Sequence, residues 1–538
     1  EEFKWYMDNG AIDLSSSSSR SIAADVKLEG SKFISTHPDQ DSLFFYSPLA
    51  RYDSRRHVIK ARDVLFINSA DAKVYPDSGL VTIKKKAKMD PLVDSKIVAN
   101  SVTEFHTVYN ANTNIFGRKN YTSAGNIDYI DQAQNKQTIY LHSISVDTTG
   151  QTIGVGDISD TVTFTLSPQF AFEGGVKLYG SKENLVFDGA TQINHNCESI
   201  PRPWIKFEAE IDPDKIFIPV DTNLKDRNDA FLSSSISMNV DSIFFYSAFL
   251  SPRTNYSDVK LLPAYGFVNY NENAKEYRIS SKEKIAENTL PGNYLSLDVN
   301  NCKVYGEGLI DMGARTGNVK FDAAGSIAHT LKDNTAVLDV MMAIDFFFEK
   351  SLIKRMADDF NENINLQGFD FSKPSYEKGL REIVGQEEAD EIISQLSLNG
   401  KIKRLPDELD KIMVLSELKM RWNEDIEAFK SFGKIGITNF NKEQVNKYVE
   451  GGVMISKKRS GDVVDVLLKM DANNWYYFNY RRGLMKVISS NEEFNTKIKE
   501  MKRSDRKYQN AKGEEPFTYM FGVEKEKRDF DREMQSDL

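Results

Sequence analysis

The chain holds 538 residues, 40% of them hydrophobic and 28% charged, with 69 basic against 79 acidic side chains and a formal charge of −10. That length exceeds the ~100–200 residues of a usual domain, so two or more units are expected, and the composition excludes a disordered or collagen-like chain. The acidic balance argues against a general nucleic-acid binder, which needs clustered Lys and Arg. Apolar runs such as Val340 to Ile344 stop far short of the ~18–20 residues of a transmembrane helix.

The chain opens on Glu1-Glu2-Phe3-Lys4-Trp5, with neither Met nor a charged-then-apolar leader, as expected of a mature product or of a piece of something longer. Residues 1–24 read as an N-terminal lead-in. From about 25 to 340 the text is strand-like. Val81, Ile83, Ala87 and Met89 share one parity around Lys84, Lys86 and Lys88, and Val162, Phe164 and Leu166 repeat the pattern. Later runs are Ile205-Phe207-Ala209-Ile211, Ile216-Ile218-Val220 and Leu295-Leu297-Val299. Successive side chains of a strand point to opposite faces, so each run has one buried and one wetter face. Turn signals every ~8–12 residues fit a sandwich, barrel or stacked-strand solenoid.

This stretch also repeats itself. Asp41-Ser42-Leu43-Phe44-Phe45-Tyr46-Ser47-Pro48 returns as Asp241-Ser242-Ile243-Phe244-Phe245-Tyr246-Ser247-Ala248. Self-similarity favours two related β-repeat units, over 25–220 and 221–340, built from stacked short strands.

Near residue 340 the period changes. Leu352, Ile353, Met356 and Phe360 form one helical stripe, and Tyr376, Leu380 and Ile383 follow a start at Pro374-Ser375. Ala389, Ile392, Ile393 and Leu396 form another, stopped by Asn399-Gly400. A helical unit over 341–409 is expected. Strands return in Ile412 to Leu415, Val463 to Leu468 and Trp475 to Phe478, giving a mixed α/β unit over 410–500. Residues 501–538 read as a charged tail, whose end, Glu524 to Leu538, has little to bury. The fold class expected is mainly β: stacked short-strand solenoid or β-jelly-roll units, then the helical and mixed units.

Phe45-Tyr46-Ser47-Pro48-Leu49-Ala50-Arg51-Tyr52-Asp53, followed by Ile59-Lys60-Ala61-Arg62-Asp63-Val64 and Ala70-Asp71-Ala72-Lys73-Val74-Tyr75-Pro76-Asp77-Ser78-Gly79, resembles the organic-solvent-tolerance (OstA-like) lipopolysaccharide-transport repeat. In that repeat a tyrosine-aspartate turn joins the strands of one rung. The chain also resembles the C-terminal part of very large envelope proteins of Gram-negative bacteria. The resemblance covers about 60 residues and implies a periplasmic β-jelly-roll solenoid whose open, apolar interior shields acyl chains. It carries over no catalytic residue, and it says nothing of the chain beyond 340.

Candidate chemistry is sparse. The six histidines are scattered, without the paired spacing of a zinc-hydrolase helix. His195-Asn196-Cys197-Glu198 offers three ligand types but no recognisable further ligand, so a structural loop is favoured over a metal site. Cys197 and Cys302 read as two unpaired thiols in preference to one long-range disulfide. Asp339 and Asp345 bracket an apolar run and could act as an acid/base pair; the favoured alternative is a strand passing into a helix whose start Asp345 caps. Gly150 to Gly156 lacks a phosphate-cradling pattern. The basic run Lys497, Lys499, Lys502, Arg503, Arg506 and Lys507 could touch anionic head groups or lipopolysaccharide phosphates, but a solvated helix is favoured. The strand Trp475-Tyr476-Tyr477-Phe478-Asn479-Tyr480 ends at Arg481-Arg482 and should present one wetter face; Trp475, Tyr477, Arg481 and Arg482 are therefore the candidate ligand or surface contacts.

No catalytic residue, metal or cofactor is assigned. The function expected is a non-catalytic cell-envelope scaffold or lipid- and lipopolysaccharide-handling β-solenoid, periplasmic or outer-membrane associated. It would dock other envelope proteins through strand edges and assemble head to tail. The alternatives are a carbohydrate-active β-solenoid enzyme using Asp339 and Asp345, or a passive repeat segment of a larger surface protein.

Overall fold

A computed structural model describes residues 2–16, 19–23, 26–508 and 516–535, with side chains outside 17–29. The lead-in and tail read from the sequence therefore lie partly outside the described residues. Strand dominates, and nearly every strand pairs antiparallel with a close neighbour in sequence, so the chain is mainly β. Two compact units form. One comprises 1–194, 204–219 and 226–228; the other comprises 195–203, 220–225 and 229–538.

In the first unit a five-stranded sheet has the order Glu2–Tyr6, Ala11–Ser15, Leu49–Asp53, Val58–Arg62 and Val81–Ile83. A 13-stranded sheet begins at Ser31–Ile34 and Phe44–Ser47 and meanders to Ile205–Glu210. Alternation drives both: along Asn120–Ile130, Tyr121, Ile127 and Tyr129 are buried while their neighbours are wetter. One expected strand is broken. After Ile83 the lysines form a tight 3-10 turn at Lys85–Ala87, with Lys86 at φ 61°, and the chain folds back so that Met89 bridges Ile83. Three adjacent lysines have no buried face to reach, so the run turns in water while its apolar ends pair.

In the second unit a three-stranded sheet is formed by Phe244–Ser251, Ser233–Asn239 and Val259–Pro263. A 15-stranded sheet continues through Met413–Asn423 to Phe517–Phe521. Helix α1 (Lys282–Ala286) carries Lys284, whose ammonium is buried against Glu307 at 2.8 Å. The strand Thr335–Asp345 continues past the point where the sequence period changes, and it pairs directly with Met413–Asn423. Helices α2 (Lys350–Glu362), α3 (Pro374–Val384) and α4 (Gln386–Asn399) are thus inserted between two neighbouring strands of one sheet.

Each helix buries the stripe its sequence shows: Leu352, Ile353, Met356 and Phe360 on α2, Tyr376 and Leu380 on α3, Ala389, Ile392 and Leu396 on α4. Full burial of such a side chain contributes roughly 1.5–3 kcal/mol. Glu349, not Asp345, caps α2 by accepting from the Ser351 amide. Gly400, at φ 66°, ends α4.

The charged C-terminal segment is structured where described. Helix α5 (Glu492–Glu500) stops at Met501, and Arg503–Arg506 form a separate 3-10 turn. The basic run is therefore not one helix. Helix α6 (Glu524–Gln535) buries Phe530 against Tyr477, ring centres 5.6 Å apart. The expectation of a tail with little to bury is corrected: Phe530 anchors α6, and Phe517 and Tyr519 are buried ahead of it. The two cysteines, favoured as free thiols, form a disulfide across 105 residues, tying the 195–203 segment to the turn at Cys302. Two cysteines remote in sequence give no sign that the loop holding Cys197 meets the turn holding Cys302.

Candidate functional site

The site begins with backbone. Gly30, at φ 95°, lets the chain pass so close to Ser47 that a Cβ there would lie 2.1 Å from the Ser47 carbonyl oxygen. Only glycine fits such a conformation and approach. It opens the hairpin Ser31–Ile34 with Phe44–Ser47, where Phe33 and Phe45 are direct partners with rings stacked at 5.5 Å. On the five-stranded sheet, Tyr52, Ile59 and Ile83 lie in one cross-strand row.

Between these rings and that row is an apolar cleft of about 290 Å³, closed at one end by Leu43, Ala87 and Met89. The lysine turn makes the last wall. Gln40, itself buried, holds it by donating from Nε2 to the Ala87 carbonyl at 2.7 Å. Lys84 at the rim is paired with Asp90 at 2.6 Å. Tyr52 and His57 also stand at the rim, with the Tyr52 hydroxyl 3.3 Å from His57 Nδ1. The turn between them is built by Asp53, whose Oδ1 accepts from the amides of Arg55 and Arg56 at 3.0 Å each. Those bonds, the Arg56 amide foremost, hold its carboxyl below the usual range.

The apolar row does not stop at the cleft. Across the sheet it reads Ile83, Ile59, Tyr52, Ile12, Trp5, with a parallel row Val81, Ala61, Ala50, Leu14, Phe3. Partners directly opposite in an antiparallel ladder share a face. Ala61 and Val81 are fully buried, whereas Trp5 is 59% and Phe3 71% exposed. One apolar face thus runs from a covered cleft to an uncovered edge.

The second copy of the repeated phrase makes an instructive comparison. Both copies form the outgoing strand of a hairpin, with Leu43, Phe45 and Ser47 or Ile243, Phe245 and Ser247 buried. Beside Ile243 only about 20 Å³ is free, because Gly313, Arg315 and the buried Lys457–Asp462 ion pair fill the space. The local strand is alike; the empty cleft occurs only beside the first copy.

The aromatic strand read as a ligand surface is core on both faces. Trp475 and Tyr477 lie under α6, with Lys527 Nζ 4.7 Å from the Trp475 ring centre, while Tyr476, Phe478 and Tyr480 are buried on the other side. The Tyr477 hydroxyl donates to Asp465 at 2.6 Å. Neither ring is free to stack on a ligand. Arg481 and Arg482 are exposed, and Arg482 borders a separate cavity.

Asp339 and Asp345 stand six residues apart on one strand, roughly 20 Å along it, and share no site. Burial raises both carboxyls. Asp339 is opposite Lys419, beside Glu417. Burial opposes the charge on Glu417, but Lys373 at 2.6 Å and the Tyr448 hydroxyl at 2.8 Å outweigh it and hold that carboxyl low. This cluster ties the start of α3 to the sheet. His195 is buried and pushed down to about 4 by that burial and by Arg202, and Cys197 is committed to its disulfide. Among the described residues no group of three or more His, Cys, Asp or Glu side chains could hold a metal ion.

No protein-family model, curated protein or solved structure matches this chain. The rim residue Tyr52, the turn residue Asp53 and the wall residue Phe45 belong to the phrase singled out in the sequence. Phe33, Gln40 and Met89 were missed; the one signal for them was the Gly30 and lysine-turn chemistry on either side.

Proposed function

We propose that this is a non-catalytic lipid-handling protein of the bacterial cell envelope, periplasmic or outer-membrane associated, that shelters one acyl chain of a lipid or lipopolysaccharide. The observation carrying this is the 290 Å³ apolar cleft continuous with the uncovered Trp5 and Phe3 rows. The cleft lies at the small end of the ~300–1,000 Å³ of ligand pockets, so it holds part of one chain, with the rest lying along the open face. The disulfide supports an oxidising compartment, where such bonds persist. In the same proposal, envelope partners dock on the strand Glu2–Tyr6, which is the edge of its sheet.

The test is titration of the full chain with a fluorescent fatty acid, followed by displacement with unlabelled acids of increasing length. One saturable site is expected, with affinity rising with chain length and a blue shift of Trp5 emission that Trp5→Phe removes. Absence of saturable binding, or binding unaffected by chain length, would refute the reading.

A further inference from the structure

The second unit carries a different kind of cavity, independent of the apolar cleft. It has a volume of about 780 Å³ and lies between the turn at Arg482-Gly483, the 3-10 turn Arg503–Arg506, and the strands Lys507–Tyr508 and Phe517–Phe521. Gly483, at φ 75°, makes the turn possible; a Cβ there would meet the Pro516 carbonyl oxygen at 2.1 Å. Thr518 fastens the pieces, its amide donating to the Gly483 carbonyl at 2.9 Å and its hydroxyl to the Arg506 carbonyl at 3.0 Å.

Four cationic side chains line this one space: Arg482, Arg503, Arg506 and Lys507. None forms an ion pair among the described residues. The basic side chains nearby that do have partners are directed elsewhere: Lys486 pairs with Glu526, and Lys499 stands over the Phe521 ring at 4.2 Å. Arg506 Nε is enclosed and has no hydrogen-bond partner. Glu349, Arg506 and Asp505 all act on the Tyr519 hydroxyl, and the Asp505 carboxylate accepts from the Ser504 hydroxyl at 2.9 Å. Like charges held around one cavity repel, and a buried guanidinium N–H without an acceptor loses its desolvation energy with no return. Both are relieved by an anion, and arginine's planar fork matches phosphate oxygens two at a time.

We propose that this cavity binds a phosphate monoester or diphosphate group carried on a larger molecule. Arg503 and Arg506 supply forked donors, Arg482 and Lys507 supply charge, and the Ser504 hydroxyl stands at the rim. The volume exceeds what inorganic phosphate needs, so the phosphate arrives on a scaffold, either a soluble sugar phosphate or a lipid head group.

The full chain is titrated by calorimetry with pyrophosphate and with a sugar phosphate, and by flotation with phosphatidylcholine vesicles with and without phosphatidic acid. Binding to the soluble anions marks a free phosphorylated ligand; binding confined to phosphatidic acid vesicles marks a head group; either supports the site. Arg506→Gln is expected to weaken binding about tenfold or more, and Arg503→Gln/Lys507→Gln, on exposed side chains that the fold does not need, is expected to do the same with an unchanged melting curve. Lys497→Gln/Lys499→Gln, on α5, should leave affinity within about twofold. No binding in any arm, or loss of binding in the α5 variant equal to that in the cavity variants, would overturn the proposal.

Discussion

Replacing Ile83 with aspartate tests the acyl-chain reading most directly. Ile83 is a wall of the cleft and only half-buried, so the protein should tolerate the change with a loss of about 1 kcal/mol. A methylene takes about the room of a water molecule, ~30 Å³, so the cleft of about 290 Å³ holds roughly ten of them. A chain of palmitate length continuing over Tyr52, Ile12 and Trp5 would bury about fourteen, worth about 11 kcal/mol at ~0.8 kcal/mol each. Subtracting a low-end association cost of about 4 kcal/mol leaves about 7, a dissociation constant in the micromolar range. Ile83→Asp removes apolar contact and sets a carboxylate against the chain, costing about 2–4 kcal/mol, or roughly thirty-fold to several hundred-fold in affinity. Displacement of a fluorescent acyl probe, read beside a thermal melt, measures both quantities. An intact fold binding palmitate as tightly as the parent would show that chains do not enter this cleft.

Four further outcomes are expected. Cys197→Ser/Cys302→Ser should lower stability by up to about 4–5 kcal/mol, since the disulfide spans 105 residues, and thiol reduction of the parent should reproduce the shift in a denaturant melt. His195 has a folded pKa of about 4 against 6.5 unfolded. The unfolded chain therefore binds more protons between those values, and stability should fall by up to about 3 kcal/mol as pH drops through that window. His195→Gln should flatten part of that acid limb; the rest belongs to His106 and His329, which burial also pushes down. Glu307→Gln leaves the buried Lys284 without its carboxylate and should cost about 3–5 kcal/mol in a denaturant titration, much of it recovered in Lys284→Met/Glu307→Leu. Phe530→Ala should loosen α6 by about 3–5 kcal/mol and red-shift Trp475 emission as water reaches that ring.

Much of the architecture was readable because period is local. The stripes at Leu352 to Phe360 and at Ala389 to Leu396 became helices with those faces buried, and the glycine after Asn399 ended the second. The readings that failed needed information from remote parts of the chain. Trp475 and Tyr477 looked half-wet because alternation cannot report a helix arriving from Glu524 onward to cover them. Lys84 to Lys88 matched a strand in parity, yet folded back once Met89 found Ile83. Arg482 and the basic run were noticed separately, and only the parallel pairing of Leu484–Ser489 with Phe517–Phe521 sets them around one cavity.

What the amino-acid order determines by itself is the pleat: short-range alternation and turn chemistry commit this chain to antiparallel strands, because each residue's face follows from its parity alone. Whether a face ends up covered, open or filled is decided by packing between segments that the order keeps apart. Phe45 and Phe245 sit in nearly identical phrases, but one looks into an empty apolar cleft while the other packs edge-on against His329, ring centres 4.9 Å apart. Local sterics are the same in both places; the volume left over is a property of the whole fold.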